Sequence, residues 1–211
     1  SIIQALAWCY YQMRRFDDSI KTYQSMLEAA PDFSYGLSTY SWTLRHAGNA
    51  EEAVRVAEKG LELSSGGQFF VALLGAAYAA AGRHQDARTA LARLSQMAEH
   101  GYVSPYHRAL IHVQLGERDE ALRLLREAYE IKDAWVVWLG VEPQLDPLRG
   151  APEFEELLRL TRNTATDRKR DVVAASAPGS DTERIRERRE PITSQIIEPA
   201  PDTQTGENEE A

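Results

Sequence analysis

The sequence predicts an all-α fold, a right-handed superhelical solenoid of repeated helix-turn-helix pairs, and three observations carry that expectation. A small residue inside an acidic or polar step recurs at Ser19 (DDSI), Ala53 (EEAV), Ala87 (QDAR) and Ala121 (DEAL), 34 residues apart each time. Twelve residues before each stands a second small residue: Ala7, Ser41, Gly75 and Ala109. Glycines at 48, 82 and 116 lie five residues before the last three steps, where Arg14 stands in the first unit.

Each element follows from that register. Small side chains let two helices approach closely, and the larger Tyr10, Leu44, Tyr78 and His112, three residues further on, fill the space between them. The glycines supply turns that a side chain would strain. Helices are expected over 2–13, 17–29, 34–47, 50–63, 68–81, 84–98, 104–115 and 118–131. Four units result, about 1–32, 33–66, 67–100 and 101–133, with Pro31 closing the first and Ser65, Glu99 and Asp133 at the corresponding places later. Residues 134–163 break the period: Ala134 to Leu139 is apolar throughout, and Pro143, Pro147 and Pro152 follow. Pro152 with Glu153, Glu155 and Glu156 opens a last helix, proline at its first position and acids at its dipole-positive end. This segment is expected to cap the array. From 164 to 211 there is no aromatic residue and no periodic apolar pattern, so a disordered tail is expected there. Its mixed run from Glu183 to Glu190 reads as a solvated segment.

A 34-residue helix-pair period resembles the tetratricopeptide repeat. The run Pro143-Gln144-Leu145-Asp146-Pro147-Leu148-Arg149, followed by Pro152, Phe154 and Leu157, further resembles the ending of such arrays in bacterial signalling proteins. Those include serine/threonine kinases, winged-helix regulators and adenylate-cyclase-like proteins; the basic residue usual after the last proline is Glu153 here. The resemblance implies a binding scaffold, with the first helix of each pair lining a concave groove. On that alignment the partner-binding residues are Trp8, Tyr11 and Gln12, then Tyr35, Ser38, Trp42 and Arg45, then Phe69 and Tyr106. Such aromatics suit an extended or helical peptide. The alternative is that Trp8 and Trp42 pack on neighbouring helices or on upstream repeats. The Lys, Asn and Arg clamp by which chaperone-binding members hold a terminal carboxylate is missing, since Gln4, Trp8, Ser38 and Trp42 stand at its sites.

Composition narrows the function classes. With 24 basic against 32 acidic residues the net charge is −8, which offers no basic field for nucleic acid. No apolar run reaches the roughly 20 residues of a membrane span, and the single cysteine, Cys9, excludes an internal disulfide framework, so a cytoplasmic setting is expected. Cys9 itself reads as a buried structural thiol. His107 and His112 are five apart, off the four-residue spacing of a helical metal pair, and no phosphate-cradle, nucleophile-elbow or dinucleotide motif occurs. No catalytic residue, metal or cofactor is expected, and the partner is a protein or peptide. Ser1 opens without Met, which suits a piece of a longer product, so the rival readings are the regulatory module of a larger signalling protein and a self-association module. If the tail contributes nothing to the core, removing 164–211 leaves the melting temperature unchanged; a loss of several degrees in the same buffer would show it docked.

Overall fold

The structure, a computed structural model, describes residues 2–162; the expected tail lies outside the described residues. Its helices are α1 (Ile2–Gln12), α2 (Phe16–Ala29), α3 (Ser34–His46), α4 (Ala50–Glu62), α5 (Gln68–Ala80), α6 (His84–Ala98), α7 (Pro105–Gln114) and α8 (Arg118–Glu130). Two 3₁₀ turns, Ala134–Trp138 and Pro143–Leu148, precede a last helix, α9, over 152–162. No strand occurs among the described residues. The expected boundaries hold to within one residue at every end of α1 to α8. Where α3, α4, α5, α7 and α8 stop early, the last expected residue is the half-helical cap.

The small-residue columns are where the paired helices meet. Ala7, Ser41 and Ala109 are fully buried, as are Ser19, Ala53, Ala87 and Ala121 on the second helices. In the first unit the contact is close enough for the Ser19 hydroxyl to donate to the Ala7 carbonyl at 2.8 Å. In the third, a Cβ placed on Gly75 would sit 2.8 Å from Ile111 Cδ1 and 2.9 Å from Ala90 Cβ. Even one methyl group there forces neighbouring side chains apart.

The turn column divides in an informative way. Gly48, Gly82 and Gly116 take φ of +81°, +74° and +75°, and Arg14 adopts φ +59° in the same place. The left-handed region costs a non-glycine residue about 1–2 kcal/mol. The first unit carries that cost, and its side chain is used elsewhere, as described below.

The face of α1 that precedes the array is open. Ile2, Ala5, Leu6, Cys9 and Met13 are exposed, whereas the residues 34 positions on from four of them, Gly36, Thr39, Tyr40 and Thr43, are buried. In the later units a preceding helix pair covers this face. For that reason Cys9 is exposed, against the expectation of a buried thiol. At the other end Phe154, Leu157 and Leu158 of α9 join one apolar cluster with Leu124, Leu125 and Ala128 of α8 and cover the last pair.

Because Gly75 has no room for a side chain, Gly75→Leu is expected to destabilise the protein by about 1–3 kcal/mol or more. Denaturant unfolding reads this out, and an unchanged midpoint would contradict the packing at α5.

Candidate functional site

The groove lined by the first helices is filled by the chain itself. After α8, Lys132 takes a left-handed φ of +58° and the Asp133 amide donates back to the Ala128 carbonyl at 2.9 Å, which turns the chain sharply out of the helix. Asp133 is buried and fixes the new direction. Its carboxylate accepts from Ser104 Oγ at 2.6 Å and from the Trp135 amide at 2.9 Å, so it caps the following 3₁₀ turn. Residues 134–148 then run back along the first helices to α1.

Aromatic contacts mark that path. Trp135 lies 4.6 Å from His107, stacks on Phe69 at 5.8 Å and on Tyr106 at 6.3 Å, and meets Trp42 edge-on at 6.2 Å. Trp138 stands perpendicular to Trp8 at 5.7 Å. Beneath them Trp8 packs on Trp42 at 5.0 Å and on Tyr11 at 5.1 Å. Further along, Glu142 accepts a hydrogen bond from the Tyr11 hydroxyl and another from the Gln144 amide, and Asp146 accepts two from Arg14 Nη2, at 2.6 and 2.9 Å. The residue strained into a glycine's place in the first turn is therefore the one that clamps the far end of this segment. Leu139, Leu145 and Leu148 are buried as apolar anchors, each contributing about 1.5–3 kcal/mol.

The residues expected to line the groove are mostly covered in consequence. Tyr11, Trp42 and Tyr106 have at most 1% of their surface exposed, Arg45 is buried, and Trp8, Gln12, Tyr35 and Phe69 are half-buried. Ring contacts join Trp8, Tyr11, Trp42, Phe69 and Tyr106, through Trp135 in the last case, and Tyr35 stacks on Phe69 at 5.2 Å. Ser38 is the exception. Its hydroxyl lies against Gly60 of α4, behind the groove wall, where a Cβ on the glycine would come within 2.4 Å. The stripe is not the open surface the alignment suggests, because the segment after α8 does more than cover the last pair.

Residues missed by the sequence reading complete the site: Arg14, His107, Trp135, Trp138, Glu142 and Asp146. Arg14 in a glycine column was the available signal for the clamp, and the carboxylates four apart at 142 and 146 pointed to its partners.

Electrostatics at the floor follow from burial. Glu142 is held above the usual carboxylate range by loss of solvent, although the Tyr11 hydroxyl and the Arg45 guanidinium oppose the shift. Arg45 is pushed down to about 10 by burial, with Tyr11 and Glu142 acting against it. Burial raises Tyr11 and Tyr106, and the Glu142 charge adds to both shifts. His107 is lowered to about 4 by burial, partly offset by Asp133. Partial burial pushes Asp146 upward, but Arg14 and Arg149 outweigh it and keep the carboxyl low. Several buried polar atoms make no hydrogen bond: Trp42 Nε1, the three guanidinium nitrogens of Arg45, the Tyr106 hydroxyl and the side-chain amide of Gln12. The segment fills the groove's apolar volume better than it satisfies its polar atoms.

The family follows from the repeats. Matches to the tetratricopeptide repeat cover residues 2–34, 35–59, 69–93 and 106–127. The chain is a tetratricopeptide repeat protein. Two crystal structures of MamA are similar to it in fold: one at 19% identity, TM-score 0.40, spanning 76% of this chain and 96% of MamA, the other at 18%, TM-score 0.41, spanning 85% and 97%. No curated protein matches the chain. No helix of the described residues is long and apolar enough to cross a membrane, and no metal-binding group of His, Cys, Asp or Glu occurs among them.

His107 and Glu142 give the repeat array a pH signature of opposite signs. The folded pKa of His107 lies below its unfolded value, so the stability it confers is complete above about 6.5 and is lost as pH falls toward about 4. Glu142, raised on folding, favours the folded state below the ordinary carboxylate pKa and loses that effect as pH rises through its folded value. Between pH 7 and 5, His107→Phe should therefore reduce the acid-side loss of unfolding free energy by about 2 kcal/mol. Glu142→Gln should make the loss steeper. Denaturant unfolding at the two pH values checks both signs, and equal losses in all three proteins would contradict the assignment.

Proposed function

We propose that this chain is a non-catalytic protein-interaction module whose first-helix groove recognises a segment of a protein partner. The observation that carries the reading is that this groove already holds a non-α segment of polypeptide on an aromatic floor, with carboxylates paired at one end. Trp8, Tyr11, Gln12, Tyr35, Trp42, Arg45, Phe69 and Tyr106 form the recognition surface, and Ser38 supports its wall. Aromatic groups supply large contact area at low entropic cost, and an arginine in a low-dielectric floor selects for carboxylates. The net charge of −8 argues against nucleic acid as the partner, and a cytoplasmic setting suits a single exposed cysteine.

The ending Pro143 to Arg149 favours one finer statement. Its likeness to arrays in bacterial signalling proteins makes the module the regulatory part of such a protein, the groove acting on a partner rather than on a substrate.

Trp42→Ala is a poor test of recognition, because truncating so buried a ring costs about 3–5 kcal/mol of stability before any partner is considered. Trp8, half-buried at the groove's edge, is the better probe. For a partner recovered by affinity capture and identified by mass spectrometry, Trp8→Ala is expected to weaken binding at least tenfold, about 1.4 kcal/mol, with helical content unchanged. A folded Trp8→Ala chain that binds as tightly as the parent would move the interaction off the groove.

A further inference from the structure

The segment in the groove defines the chemistry of what the groove takes. Trp135 and Trp138 are three residues apart, Glu142 and Asp146 follow at intervals of four, and each meets a dedicated receptor: Phe69, Tyr106 and His107 for Trp135, Trp8 for Trp138, Tyr11 for Glu142 and Arg14 for Asp146. From that geometry we infer that residues 134–142 act as a built-in competitor, and that the partner is a protein segment of the same kind, two aromatic side chains followed by carboxylates, which binds by replacing them. This rests on the groove being the interaction surface.

Three observations favour replacement over a permanent plug. The stretch holds itself together poorly: it is a 3₁₀ turn and irregular chain, whose hydrogen-bond geometry is weaker than that of an α-helix. Its own apolar groups are incompletely used: Leu139 is buried, but Val137 and Val141 are exposed by 69% and 45% and both tryptophans are only half-buried. On the groove side, Arg45 and Trp42 Nε1 are buried donors without a hydrogen bond, which a ligand with carboxylates in a slightly different register would satisfy. The ends of the segment are firmer, Asp133 by its bonds to Ser104 and Trp135, and Leu145 and Leu148 by burial. The middle therefore lifts while the array stays capped by α9.

Asp146 gives a way to open the groove without losing a receptor. Asp146→Ala removes the clamp on the segment and leaves Arg14 in place for a ligand. Combined with Trp135→Ala and Trp138→Ala in the full chain, it should leave the helical content intact. A fluorescent peptide spanning residues 133–149 is then expected to bind this opened chain at least tenfold tighter than the parent, and the same peptide with alanine at both tryptophans is expected not to bind it. A folded, opened chain that ignores the parent peptide overturns the proposal. If the triple variant does not fold, hydrogen exchange on the parent decides: amides 134–142 exchanging at least tenfold faster than those of α8 support it, and equal protection overturns it. Should the peptide fail while Trp8→Ala still weakens the captured partner, the groove remains the interaction surface and only the competitor role falls; loss of both effects removes both readings.

Discussion

A helix pair with apolar flanks cannot be stable alone, and that constraint organises everything else in this molecule. Each pair is closed internally by small residues that let its two helices touch, then laid against the next. The solution leaves two flanks unsatisfied, one at each end. At the α8 end the chain folds α9 over the exposed stripe. At the α1 end Ile2 and Leu6 remain in solvent, in positions that the second unit buries. Between α8 and α9 the chain crosses the first helices before it caps the last pair.

That crossing turns a structural requirement into a chemical one. The segment passing over the aromatic first helices presents Trp135 and Trp138 to them, and at the first unit its Asp146 meets a charge partner. Arg14 supplies the partner at the expense of a strained turn, which is the pattern expected where backbone conformation has been traded for a side chain's position.

How much of this could be read beforehand depended on whether the signal was local. The helix pairs were legible because a repeat states its contacts four times over: Gly75 and Ala109 could be placed in a helix crossing from register alone, and both lie there. Cys9 was misplaced by the same logic, because in the later units the burial of that face comes from a preceding helix pair, and the α1 face is open in the structure. The groove was legible only by half. Trp8, Trp42 and Phe69 could be aligned to one side of the array, but nothing in the local pattern of Ala134 to Leu139 says where an all-apolar turn will settle. Its destination is set by Asp133, Lys132 and a distant Arg14, contacts between residues up to 132 positions apart. Ser38 sits behind the groove wall for a smaller reason, the absence of a side chain on Gly60, which leaves the serine room against α4.

The chain has four tryptophans, and all of them lie in this one cluster, Trp8 touching Trp42 and Trp138, and Trp42 touching Trp135. Helices α4 to α8 carry none. Tryptophan emission consequently looks at the groove, two of its chromophores on the walls and two on the segment that fills them. The protein carries a built-in optical gauge of whether its groove is occupied.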